Sequence, residues 1–123
     1  MKRPLEGLRV CDLSQNLAGP YCTQILADLG ADVIKVEPPG GDPARDWGPP
    51  FWGDDGTLFL AVNRGKRSIV LDLKTEEGLR VLQRLAETSD IFVQALRPGV
   101  AERLGFGYDT IRDVRPDIIY LTL

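Results

Sequence analysis

The chain alternates short apolar runs with longer stretches in which apolar residues recur three and four positions apart. The runs Leu8–Leu13, Asp32–Val36, Ser68–Leu73, Asp90–Gln94 and Ile118–Leu123 are bounded by turn residues and are too short for helices, so the pattern predicts five strands. Between the first two, Cys22, Ile25, Leu26 and Leu29 lie at helical spacing. Pro20 suits the first turn of that helix, Gly19 before it allows a sharp bend, and Gly30 stands where a left-handed cap is expected. A second helix is predicted over Glu76–Glu87, with Leu79, Leu82, Leu85 and Ala86 on one face. Thr75 is its expected N-cap, and Gly78 is an unfavourable interior residue. Shorter helical turns are predicted over 57–62, 100–104 and 108–114. Strands alternating with helices imply an α/β fold, a doubly wound and mostly parallel sheet with right-handed crossovers.

This topology decides which turns matter. In such a sheet, ligands bind beyond the carboxyl ends of the strands. The turn Asp12–Pro20 follows the first strand, where free helix N–H groups would suit a phosphate. A long Pro- and Gly-rich loop from Glu37 to Asp55 follows the second and carries Arg45, Trp47, Phe51 and Trp52. It is expected to cover something. Arg64, Lys66 and Arg67 enter the third strand from its amino end and are expected to be solvated surface, whereas Lys74 lies at its carboxyl end. Arg97 and Arg103 follow the fourth strand and join Lys74 as candidate cations.

Composition narrows the chemistry. With 123 residues, 43% of them apolar, the chain can build one real core. Its net charge of -3 argues against nucleic acid or a membrane surface as partner, and no apolar run is long enough to span a bilayer. A cytoplasmic location is expected. There is no histidine, and the two cysteines, Cys11 and Cys22, form no CxxC, so neither a metal site nor histidine-activated nucleophilic catalysis is expected.

Five motifs then occur in order along nearly the whole chain: Pro4–Val10, Ala18-Gly19-Pro20, Leu26–Glu37, Asn63–Ile69 with Leu71–Lys74, and Arg97-Pro98-Gly99 with Arg103-Leu104-Gly105. Together they resemble the N-terminal segment of the family III CoA-transferases, the superfamily that also holds α-methylacyl-CoA racemase. The resemblance implies a Rossmann-like coenzyme A-binding segment over residues 1–123, the N-terminal part of a longer chain. It implies transfer of CoA between an acyl-CoA and a carboxylic acid through a covalent aspartyl intermediate. The nucleophile's position lies beyond Leu123, so no catalytic residue is assigned and the chain alone is expected to be inactive. An interlocked homodimer is implied for the whole protein.

Carried over position by position, the resemblance places CoA against Leu17 and Ala18, Pro38, the stretch Leu71, Asp72, Leu73 and Lys74, the turn Ala95, Leu96 and Arg97, and Arg103. Some relatives have glutamine at the position of Leu17, arginine at that of Pro38 and asparagine at that of Ala95. On this comparison the opening turn contributes shape rather than charge, and Lys74, Arg97 and Arg103 take the phosphates. An acyl-CoA racemase is the alternative within the superfamily. A non-catalytic fragment that binds CoA or a dinucleotide is the alternative of another class; Glu37 sits where a ribose-binding acid would be, but the opening turn lacks G-x-G-x-x-G.

Overall fold

The computed structural model describes all residues, 1–123. Five strands, β1 (Arg9–Asp12), β2 (Asp32–Glu37), β5 (Arg67–Val70), β6 (Ile91–Gln94) and β7 (Ile119–Thr122), form one sheet in the order β5-β2-β1-β6-β7. Every neighbouring pair is parallel. The chain winds outward from β1 through β2 to β5, then returns to the other side of β1 with β6 and β7. Between β2 and β5 lie a short hairpin, β3 (Phe51–Trp52) with β4 (Asp55–Gly56), and helix α2 (Thr57–Asn63).

Alternation along the strands sorts the core into two faces. Cys11 and Leu13, Val36 and Phe92 meet Leu82 and Ala86 of α3 (Glu76–Glu87), Ala101 of α4 (Val100–Leu104) and Ile111 of α5 (Tyr108–Val114). On the other face Val10, Val33 and Val93 pack with Ala27 of α1 (Ala18–Asp28) and with Ala31. Asp12, Lys35 and Glu37 share the parity of Val10 and Val33, and all three are buried. Polar residues therefore continue an apolar face toward the carboxyl edge.

Most predicted elements lie within a few residues of their expected bounds, and the departures have physical causes. The third strand was expected to reach Leu73 but ends at Val70. After Leu71 N–H donates to the Glu37 carbonyl at 2.9 Å, Pro38 and Pro39 have no N–H with which to extend the ladder. Helix α1 begins at Ala18, which makes Pro20 its third residue, still within the turn whose N–H groups lack helical partners. Gly19 is needed for close packing rather than for a bend: a Cβ there would lie 2.2 Å from that of Ser14. Gly30 does adopt the left-handed conformation, with φ +109°.

Gly78 is likewise a packing residue. Thr75 caps α3 by accepting the Gly78 N–H at 3.1 Å, and this first turn rests on the Asp72–Lys74 segment. A Cβ on Gly78 would lie 2.0 Å from the Asp72 carbonyl oxygen. Alanine normally favours a helix interior over glycine by about 1 kcal/mol. Here the clash outweighs that gain, so Gly78→Ala is expected to lower stability by about 1–3 kcal/mol, read as a reduced urea midpoint.

Candidate functional site

A cavity of about 310 Å³ opens at the carboxyl edge of the sheet. Leu13 after β1, Val36 of β2, Leu71 and Leu73 after β5, Leu96 after β6, and Leu104 and Phe106 around the end of α4 supply apolar walls. Phe106 is held from behind, where the Tyr120 hydroxyl donates to its carbonyl at 3.0 Å and the Tyr120 ring stacks on Phe92. Gln15, Glu37, Asp72 and Lys74 bring polar groups to the walls, beside Pro38 and Pro39.

Of the residues singled out in the sequence, the cavity gathers Pro38, Leu71, Asp72, Leu73, Lys74 and Leu96. Leu17, Ala18, Ala95, Arg97 and Arg103 lie outside its lining and are exposed. Leu17 and Ala18 stand at the start of α1, Ala95 and Arg97 just past β6, and Arg103 on α4. Gln15, Leu104 and Phe106 were not among the expected site residues. Gln15 lay within the recognised turn, and the other two are visible only once α4 is folded back over the sheet edge.

The basic cluster before β5 is not uniformly solvated, which corrects the sequence expectation. Arg64 and Arg67 are exposed, but Lys66 turns inward, with its side chain only 2% accessible. Its ammonium donates to the Pro20 carbonyl and the Asn63 side chain, both at 2.8 Å, and pairs with Asp12 at 3.2 Å. Burial pushes the Lys66 pKa down, against the pull of Asp12. Asp12 also accepts from Thr23 Oγ1 at 2.6 Å and from the Ser14 N–H and hydroxyl. Beside it, Lys35 pairs with Asp42 at 2.7 Å, both fully buried.

These contacts also correct the picture of the opening turn as a phosphate cradle. The Ser14 N–H is bound by Asp12 at 2.9 Å and the Asn16 N–H by Asp42 at 3.1 Å. Two amides of the turn are thus already held by carboxylates, which disfavour a second anion at the same place. Lys74, Arg97 and Arg103 differ in kind: all three are exposed and none is ion-paired with a carboxylate.

Glu37 lines the cavity, yet both its oxygens are occupied. Arg45 grips it bidentately at 2.7 and 2.8 Å, while the Ser68 hydroxyl and the Asp42 N–H add bonds at 2.7 and 2.8 Å. Arg45 also lies over the Phe59 ring at 4.0 Å and bonds Asp55 at 2.8 Å. That leaves Glu37 poorly suited to accept a ribose hydroxyl. Cys11 is equally unavailable as a nucleophile, because burial and then the neighbouring Asp12 raise its thiol pKa.

The chain matches CoA-transferase family III over residues 5–123. It is 47% identical over 122 residues to the succinyl-CoA:glutarate CoA-transferase of Homo sapiens, a match covering 98% of this chain and 28% of that protein. Against the succinyl-CoA:mesaconate CoA-transferase of Haloarcula hispanica it is 49% identical over 124 residues, covering 97% of this chain and 31% of that protein. Among solved structures, a CAIB/BAIF family protein from Brucella suis matches with TM-score 0.95 and 43% identity, over 99% of this chain and 33% of that one. The chain thus spans about 30% of the length of these relatives. The fold and the family indicated by the sequence motifs are both borne out.

The Glu37 contacts carry a pH signature. Burial alone would raise its carboxyl, but the bonds from Arg45, the Asp42 N–H and Ser68 outweigh burial and hold it at about 2 against an ordinary 4.5. A folded pKa below the unfolded one gives stability that is fully present above 4.5 and lost as pH falls toward 2. Urea unfolding of wild type and Glu37→Gln across this range is expected to show the gap between them closing on acidification, from on the order of 3 kcal/mol at neutral pH.

Proposed function

Because the chain belongs to CoA-transferase family III, we propose that the protein moves coenzyme A between a CoA thioester and a free carboxylic acid, with residues 1–123 supplying part of the coenzyme A site. The observation that carries this reading is the apolar cavity at the carboxyl edge with Lys74 on its lining, in a chain whose relatives are CoA-transferases. Apolar walls suit the uncharged portions of CoA, and exposed cations suit its phosphates. Leu17, Ala18, Pro38, Leu71, Asp72, Leu73, Ala95 and Leu96 shape the site, while Lys74, Arg97 and Arg103 provide charge. The relatives' names differ in their acids, glutarate in one and oxalate in another, so the shared chemistry is the CoA transfer itself.

In this reading an aspartate outside these residues attacks the thioester carbonyl and expels CoA thiolate, leaving an acyl-aspartyl anhydride. The thiolate then attacks the aspartyl carbonyl, releases the donor acid and leaves an aspartyl-CoA thioester. The acceptor carboxylate reverses the sequence. The whole protein acts in the cytoplasm as an interlocked homodimer and uses no metal.

Calorimetric titration of CoA onto the full-length protein tests the site. Lys74→Ala and Arg103→Ala are each expected to weaken binding about 5- to 20-fold, the range for loss of a charge-assisted phosphate contact. Affinities equal to wild type for both variants would sink the assignment.

A further inference from the structure

The strongest unassigned feature is the buried pair Lys35–Asp42, because it grips the opening turn on both sides of Gln15. Lys35 Nζ donates to the Ser14 carbonyl at 2.8 Å. Asp42 Oδ1 accepts the Asn16 N–H at 3.1 Å and the Ala44 N–H at 2.9 Å. The two side chains meet at 2.7 Å, with 1% and 0% of their surfaces accessible. Gln15, held between the two gripped residues, lines the cavity. Asn16 has φ +69°, the one non-glycine residue of the chain in the left-handed region. Asparagine tolerates this region better than most side-chain-bearing residues, yet it still carries a cost that contacts from the surroundings offset.

We propose that Lys35 and Asp42 are positioning residues of the coenzyme A site, acting as a clamp that enforces the left-handed bend at Asn16 and so sets Gln15 against the cavity. The inference rests on the coenzyme A reading above. A buried ion pair is a poor device for stability, because apolar residues of like volume often serve as well. Its distinct capability is to bind a buried carbonyl and a buried-side amide at once, which apolar side chains cannot do. Asp42 is itself aimed by its own N–H, which donates to Glu37 at 2.8 Å, so the clamp is built into the sheet edge through β2.

The test uses the full-length protein, with CoA affinity measured by calorimetry and turn protection by hydrogen exchange without ligand. In the paired variant Lys35→Met with Asp42→Leu, no charge is left buried alone and neither bond to the turn remains. It is expected to expose the Asn16 amide to faster exchange and to weaken CoA binding about 10-fold. Gln15→Ala is expected to weaken binding to a similar extent and to add nothing further in the paired background, since the clamp acts through Gln15. Asn16→Gly added to the paired variant is expected to recover part of the affinity, because glycine enters the left-handed region without penalty. A merely structural pair would show no such rescue.

If the paired variant fails to fold, Asn16→Val opposes the same bend from the exposed side and should reproduce the loss of affinity. Wild-type affinity in whichever variant folds overturns the inference alone. A wild-type protein that binds no CoA overturns the coenzyme A reading and the inference with it.

Discussion

Everything at the carboxyl edge depends on charges buried beneath the opening turn. Asp12 and Lys35 are register partners on neighbouring parallel strands, yet each takes its ion-pair partner from a loop. Lys66 arrives from the segment before β5, and Asp42 from the segment after β2. Removing an ion from water costs several kcal/mol even after relaxation, so each charge is tolerable only while its partners are in place. Neither loop can swing away without leaving an uncompensated charge behind. Strands, turn and loops are therefore coupled into one rigid rim, and Arg45 on Glu37 extends it toward the hairpin.

This coupling divides the cations of the edge into two kinds. Lys35, Lys66 and Arg45 are committed to carboxylates and carbonyls. Lys74, Arg97 and Arg103 remain exposed. Which positive groups can meet an anion is decided by pairing and burial, not by the clustering of Lys and Arg along the chain. A net acidic protein can thus present local positive charge, because many of its carboxylates are committed elsewhere.

The scaffold was legible because parallel strands covered on both faces appear as continuous apolar runs, and because amphipathic α3 announces itself by spacing, with Thr75 marking its start. Lys66 was illegible for a physical reason: its burial is set by Asp12, Pro20 and Asn63, three positions that sequence proximity does not join into one pocket. A signal did exist. Asp12 and Lys35 occupy the parity of Val10 and Val33, and a charged residue on an apolar strand face calls for an internal counter-charge. Gly19 and Gly78 stood out as glycines, but only the close approaches to Ser14 and Asp72 reveal why no larger residue fits. For the candidate site, the stretch Leu71–Lys74 was readable from position at a strand end, whereas the wall formed by Leu104 and Phe106 depends on how α4 folds back.

The same hydrogen bonds that stiffen the rim also limit its chemistry. A carboxylate attacks a thioester with a free lone pair, and each charge-assisted bond it accepts lowers its nucleophilicity. Asp12 accepts from Ser14, Thr23 and Lys66, Asp42 accepts from Asn16 and Ala44 and is ion-paired with Lys35, and Glu37 accepts from Arg45, Ser68 and Asp42. The one fully buried thiol, Cys11, is kept protonated by its surroundings. These buried groups are thus committed to holding shape. What the segment presents at this edge is a held apolar wall and a set of outward cations.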